Sequence, residues 1–126
     1  MSEKDASPVP IVVVAEDDFL LRMLAADILA DQGFAVLEAE SAEVAHMMLE
    51  STSNVRLLFT DVQMPGAVDG MELAWRVCQR WPLVPVLIIS GQHRPVPGDM
   101  PDSVRFLAKP YRQDDLVAIV DELMRA

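Results

Sequence analysis

Positive charge, cysteine and long apolar runs are all scarce in this 126-residue chain, and each scarcity excludes something. Ten basic residues stand against twenty acidic ones, a formal net charge of −10. That balance disfavours non-specific binding to nucleic acid or to an anionic membrane and favours a basic partner surface. Cys78 is the only cysteine, so no intramolecular disulfide and no cysteine-based metal cage can form. Within Ala74-Trp75-Arg76-Val77-Cys78 it reads as a small packed hydrophobe rather than a reactive thiol. The first apolar run is only about five residues, against the roughly 18 that a bilayer span needs, and residues 1–10 are too polar for a signal peptide. A soluble cytoplasmic protein is expected. What the chain does have is a hydrophobic content of 52%, enough for one domain with a real core. That domain is expected over residues 9–126, behind a flexible tail at 1–8.

Strand-length apolar runs alternate with longer segments of helical period, the mark of a βα repeat around a parallel sheet. Strands are expected at about 10–15, 34–39, 55–60, 84–89 and 104–108. The first helix, 18–32, places Leu21, Leu24, Ala25 and Ile28 on one face, with Gly33 closing its end. The second runs from the N-cap candidate Ser41 through Val44, Ala45, Met48 and Leu49. The third, 69–81, carries Met71, Ala74, Val77, Cys78 and Trp81 on one broad face and stops at Pro82. A C-terminal helix at 113–125 carries Leu116, Val117, Val120, Leu123 and Met124. Between Ser90 and Val104 the pattern breaks, because Pro95, Pro97, Gly98 and Pro101 fall where a fourth helix is due. At about 3 kcal/mol for each interior proline, they leave room for one turn at most, so this crossover is expected to be mostly loop. No internal repeat is present, and no output domain is expected within the sequence.

Four of the apolar runs stop at polar residues of different kinds: Glu16-Asp17-Asp18 after the first, Asp61 after the third, Ser90 after the fourth and Lys109 after the fifth. In an open parallel sheet, ligands lie outside the carboxyl ends of the strands, near the reversal in strand order, so acids, hydroxyl and amine converge there. Two carboxylates about 4 Å apart repel by about 4 kcal/mol at an effective dielectric near 20, and Glu16, Asp17 and Asp61 are expected to stand that close. A hard divalent cation removes the conflict. Mg²⁺ suits the set because it takes a few carboxylate or carbonyl oxygens, keeps several waters and shares its shell with phosphate; Mn²⁺ is an acceptable substitute. Asp18, directly before a helix, reads as an N-cap. Asp61 precedes the turn Val62-Gln63-Met64-Pro65-Gly66, where a strand-end carboxylate can attack phosphorus and form an aspartyl phosphate. Lys109 supplies a mobile cation for the phosphoryl oxygens and Ser90 a hydroxyl donor. The only other lysine, Lys4, lies in the tail. His46 and His93 lack partners at metal-ligand spacing. Met47 and Met48 read as core, and Trp81 as a staple between the third helix and the sheet.

Together Val-Val-Val-Ala-Glu16-Asp17-Asp18, Leu-Phe-Thr-Asp61-Val-Gln-Met-Pro65-Gly66 with Asp69-Gly70, Ile-Ile-Ser90-Gly91 and Phe106-Leu-Ala-Lys109-Pro110-Tyr111 make the chain resemble a receiver domain of bacterial two-component response regulators, over residues 9–126. The resemblance implies a stand-alone receiver with a doubly wound, flavodoxin-like (βα)5 fold whose five parallel strands run in the order 2-1-3-4-5. It implies that Asp61 is the phosphoacceptor and a metal ligand, that Asp17 binds Mg²⁺ directly or nearly so, and that Glu16 acts chiefly through water. The main-chain carbonyl of Gln63 would complete the protein's share of the shell. Ser90 would be the switch hydroxyl, Lys109 the phosphate-binding amine and Phe106 the aromatic that turns inward when Ser90 moves. A cis peptide at Lys109-Pro110 is implied as well. Three departures stand out: one extra residue between Pro65 and Asp69-Gly70, a fourth helix shortened or replaced by loop, and phenylalanine rather than tyrosine at 106.

On this reading the phosphoryl donor is a histidine kinase or a histidine phosphotransfer protein, the downstream partner is a protein, and the chain is a monomer or weak dimer that needs neither nucleic acid nor membrane. It is a phosphoacceptor rather than an enzyme, beyond self-phosphorylation from small donors and autodephosphorylation. The competing readings are a small Mg²⁺-dependent phosphatase or phosphotransferase, and a pseudo-receiver that binds partners without phosphorylation. Against the first, position 63 is glutamine, where a leaving-group acid would be wanted, and no cap domain encloses a substrate. Against the second, every reactive group is retained.

Overall fold

The computed structural model describes residues 8–91, 95–96 and 98–125. Along the chain run β1 (Ile11–Ala15), α1 (Phe19–Asp31), β2 (Ala35–Ala39), α2 (Ala42–Ser51), β3 (Val55–Asp61), α3 (Gly70–Arg80), β4 (Val86–Ser90), β5 (Arg105–Ala108) and α4 (Gln113–Arg125). All five strands pair in parallel in the order β2-β1-β3-β4-β5, so the chain reverses direction across the sheet between β1 and β3.

The sheet is covered on both faces, and the period-two alternation of the strands sorts the core into two layers. Val13, Ala15, Leu58, Val86 and Ile88 pack with Ala42, Ala45 and Leu49 of α2 and with Leu73, Ala74 and Val77 of α3. Their neighbours Val12, Val14, Leu57, Phe59, Leu87 and Ile89 pack on the other face with Ala25 and Leu29 of α1 and with Leu116 and Val120 of α4. Side-chain caps start three helices: Asp18 accepts from Leu21 N at 3.0 Å, Ser41 from Val44 N at 3.1 Å and Asp69 from Glu72 N at 2.9 Å. Gly33, at φ +100°, closes α1 in the left-handed conformation that glycine adopts without strain.

Several boundaries differ from the sequence expectation. β4 begins at Val86 rather than 84, because Val84 N closes a turn onto Trp81 O and Pro85 then precedes the strand. β3 runs on to include Asp61 itself. The larger departure is on α1, where Leu21 and Leu24 were expected to face inward but are 41% and 49% exposed, while Ala25, Ala26 and Leu29 are buried. Leu21 and Leu24 line an open groove together with Phe59 and Ile89 instead of being covered. Met47 is likewise exposed, and only its neighbour Met48 packs on the core. Among the described residues no helix joins β4 to β5, as the prolines require. The connection holds turns instead, with Asp99 N bonded to Val96 O and Val104 N to Pro101 O. His93, Pro97 and almost all of the expected tail lie outside the described residues.

Candidate functional site

The carboxyl ends of β1, β3, β4 and β5 bring Glu16, Asp61, Ser90 and Lys109 to one edge of the sheet. Asp61 ends β3 and is buried; its main-chain carbonyl accepts from Thr60 Oγ1 at 3.0 Å. Lys109 follows β5, and its N–H donates to Ser90 O at 2.9 Å, which holds the ends of β4 and β5 together. Its ammonium reaches back across the edge to Asp61 Oδ2 at 2.9 Å and to Glu16 Oε1 at 3.2 Å. The second oxygen of Glu16 accepts from Asp18 N at 3.1 Å, and the second oxygen of Asp61 lies 3.4 Å from Gln63 N. Ser90 is buried at the end of β4, level with Ala108 on β5. Phe106, half-buried, pairs with Ile88 on β4 and packs against the α2–α3 side of the core. The Lys109-Pro110 peptide is cis.

Glu16, Asp17 and Asp61 each offer a carboxylate oxygen, and these atoms lie within 4.8 Å of one another, Asp17 being the exposed member. Three hard oxygen donors so close, open to solvent on one side, fit a divalent cation that keeps part of its water shell. Burial pushes the Glu16 carboxyl up to about 6, and the charge of Asp61 adds to the rise against the opposing pull of Asp18 N–H and Lys109. Burial works to lower the Lys109 ammonium, but the bonds and charges of Asp61 and Glu16 outweigh it and hold the proton more firmly than usual. Burial also raises the Tyr111 phenol.

Two residues to which the sequence assigned no role in the site help to build it. Arg22, one turn into α1, donates to Glu16 O at 2.8 Å and to Glu38 Oε1 at 3.1 Å, tying the β1–α1 connection to β2. Its signal was a lone cation shortly after three consecutive acids. Gly70, the first residue of α3, sits directly against the Asp61 carbonyl, and its N–H bonds to Val62 O at 2.9 Å. Beside the acids opens a groove of about 550 Å³ whose lining includes Leu21, Leu24, Ile28, Phe59, Pro110 and Tyr111 together with Glu16 and Lys109.

The response regulator receiver domain profile matches residues 12–121. The chain belongs to this family. As a receiver it is similar to the DNA-binding transcriptional regulator NtrC of Escherichia coli (strain K12), 32% identical over 88% of this chain but only 24% of NtrC. It thus spans about a quarter of that relative's length. The response regulator receiver protein CpdR of Brucella abortus (strain 2308) is 29% identical over 91% of this chain and 97% of its own. Among solved structures, a response regulator receiver protein from Sinorhizobium medicae WSM419 superposes with a TM-score of 0.82 at 26% identity, covering 94% of this chain and 96% of that one. The receiver fold and the two-component signalling role expected from the motifs are therefore both borne out, and the phosphatase reading is not favoured.

Proposed function

We propose that this receiver takes a phosphoryl group on Asp61 from a phosphohistidine of a histidine kinase or phosphotransfer protein, and that the resulting acyl phosphate changes the surface it offers to a protein target. The observation that carries the reading is the 2.9 Å contact between Asp61 and Lys109 beside two further carboxylates at the edge of the sheet. An oxygen of Asp61 attacks phosphorus, the new O–P bond forms, and the P–N bond to the donor imidazole breaks, its electron pair staying on the leaving nitrogen. Lys109 moves from the carboxylate to the phosphoryl oxygens, and the Ser90 hydroxyl donates to the same oxygens. Phe106 then turns into the space that Ser90 vacates. Glu16, Asp17, Asp61 and the Gln63 carbonyl would hold Mg²⁺, which neutralises charge on the phosphoryl oxygens when bound. Phe19, Leu20, Leu21 and Leu24 leave exposed apolar side chains on α1, next to the groove that Lys109 helps to line, and they support docking of the donor there.

Intact mass after incubation with Mg²⁺ and acetyl phosphate tests the reading, with a gain of one phosphoryl group expected. A mass that stays unchanged after prolonged incubation with the small donor and with an active phosphotransfer protein would sink it.

The metal assignment has its own signature. In metal-free protein, the raised Glu16 carboxyl contributes stability that is fully present below about pH 4.5 and lost as pH rises through about 6. With Mg²⁺ the trend opposes this, since the ligand needs the deprotonated acid. Mg²⁺ at a hundred times its dissociation constant stabilises by about 2.7 kcal/mol. Its effect on the thermal midpoint should therefore be large at about pH 7.5, small at about pH 5, and mostly abolished by Asp17→Ala. A midpoint shift independent of both pH and Asp17 would place the ion elsewhere.

A further inference from the structure

The loop from β3 to α3 carries the main chain of Gln63, and little in its own backbone holds it in place. Its two ends are secured by Val62 N bonded to Ile89 O and Gly70 N bonded to Val62 O. Between them Met64 and Val68 are buried in the α2–α3 side of the core, which leaves Pro65, Gly66 and Ala67 as an exposed crest. Among the described residues no main-chain to main-chain hydrogen bond starts or ends at residues 63–68. The polar tie on the crest comes from another element altogether: Glu43, in the first turn of α2, accepts from Ala67 N at 3.1 Å through Oε2. The fit depends on Gly66. It lies at φ +116°, and a Cβ there would stand 3.0 and 3.1 Å from the two carboxylate oxygens of Glu43. The carboxylate thus lies over a bare glycine and reaches the next amide.

We infer that Glu43 is a positioning residue: by clamping the crest at Ala67, it fixes the loop so that Gln63 presents its main chain beside Asp61. This rests on the proposed metal and phosphoryl role of the acidic pocket. Without the clamp, residues 65–67 lose their polar anchor, while the apolar anchors Met64 and Val68 remain, so the fold survives and the loop loosens locally. Gln63 lies one residue before Met64 and two before the crest, so its main chain shares in that loosening, and with it the last ligand expected of the protein.

Glu43 is also an acid in the first turn of a helix, where it stabilises the positive end of the helix dipole whatever else it touches. Two substitutions separate the roles. Glu43→Ala removes charge and acceptor together. Glu43→Gln removes the charge but keeps an oxygen that can accept from Ala67. Hydrogen exchange at residues 64–68 and calorimetric titration with Mg²⁺ alone would be compared in the parent and both variants. Glu43→Ala is expected to speed exchange in the loop by on the order of tenfold and to weaken Mg²⁺ binding by about tenfold. Glu43→Gln should keep most of both. Loop exchange unchanged in Glu43→Ala overturns the inference, as does a Glu43→Gln variant as impaired as Glu43→Ala, which would leave only the helix dipole. Mg²⁺ affinity equal to the parent's in Glu43→Ala also overturns it. A parent that binds no Mg²⁺ refutes the metal reading of the pocket itself, and the positioning role falls with it.

Discussion

Asp61→Asn will take up no phosphoryl group from acetyl phosphate or from a phosphorylated partner, while remaining folded. Asparagine matches aspartate in size, so the packing at the end of β3 is kept, but its neutral amide lacks the anionic oxygen that attacks phosphorus. The charge change is tolerable because Lys109 still faces Glu16 at 3.2 Å and is left with a partner. One of two buried like charges also disappears, which relieves part of the repulsion that raises the Glu16 carboxyl. Intact mass after equal incubations reads the result, and circular dichroism confirms the fold. Any labelling of the variant at the parent's extent means that another side chain is the acceptor.

Gly70→Ala is expected to be among the most damaging single methyl additions in the domain. A Cβ at Gly70 would stand 1.7 Å from the Asp61 carbonyl oxygen, 2.7 Å from its carbon and 2.9 Å from Thr60 Oγ1. None of these is the loose end of a long side chain. The carbonyl belongs to β3, whose Asp61 pairs with Ile89 of β4, so relief requires moving either the central strand or the start of α3. Overpacking of that kind costs about 3 kcal/mol, a fall of roughly 10 °C in the thermal midpoint for a domain of this size. Because the displaced atom is in the main chain of Asp61 itself, labelling by acetyl phosphate should slow together with the loss of stability. A variant that melts within about 2 °C of the parent would show that α3 can shift freely, contrary to the close packing of Leu73, Ala74 and Val77.

The layered fold was legible because its signals are local. Apolar runs and helical periods mark the elements, Ser41 and Asp18 mark helix starts, and the prolines around Val96 remove a helix. The polar edge was legible because strand ends in a parallel sheet share one side, so the residue after each run could be placed without coordinates. What stayed hidden depends on contacts far apart in sequence. Glu43 meets Ala67 across 24 residues, and nothing near either hints at the other. Gly70 stood out only as half of the Asp69-Gly70 motif, whereas its lack of a side chain is required by a carbonyl nine positions earlier. Leu21 and Leu24 have the right period for a buried face, but periodicity does not tell whether that face is covered or opens into a groove.

The connection that replaces a helix between β4 and β5 is held to α3 by a tryptophan: Trp75 Nε1 donates to Asp99 O at 3.0 Å, and Cys78 Sγ lies 3.7 Å from Ser103 Oγ. The protein therefore carries its own optical gauge. The indole of Trp75 is 40% exposed and bonded to the segment that follows Ser90, whereas Trp81 is half-buried against His46 and Arg80 at the far end of α3. Movement of that segment on phosphorylation would break or remake the bond at Trp75 and leave Trp81 as a constant background. In a Trp81→Phe background the emission of Trp75 should change as Asp61 is labelled and return as the phosphate is lost, and an emission that stays flat through full labelling would mean that the signal leaves the pocket by another route.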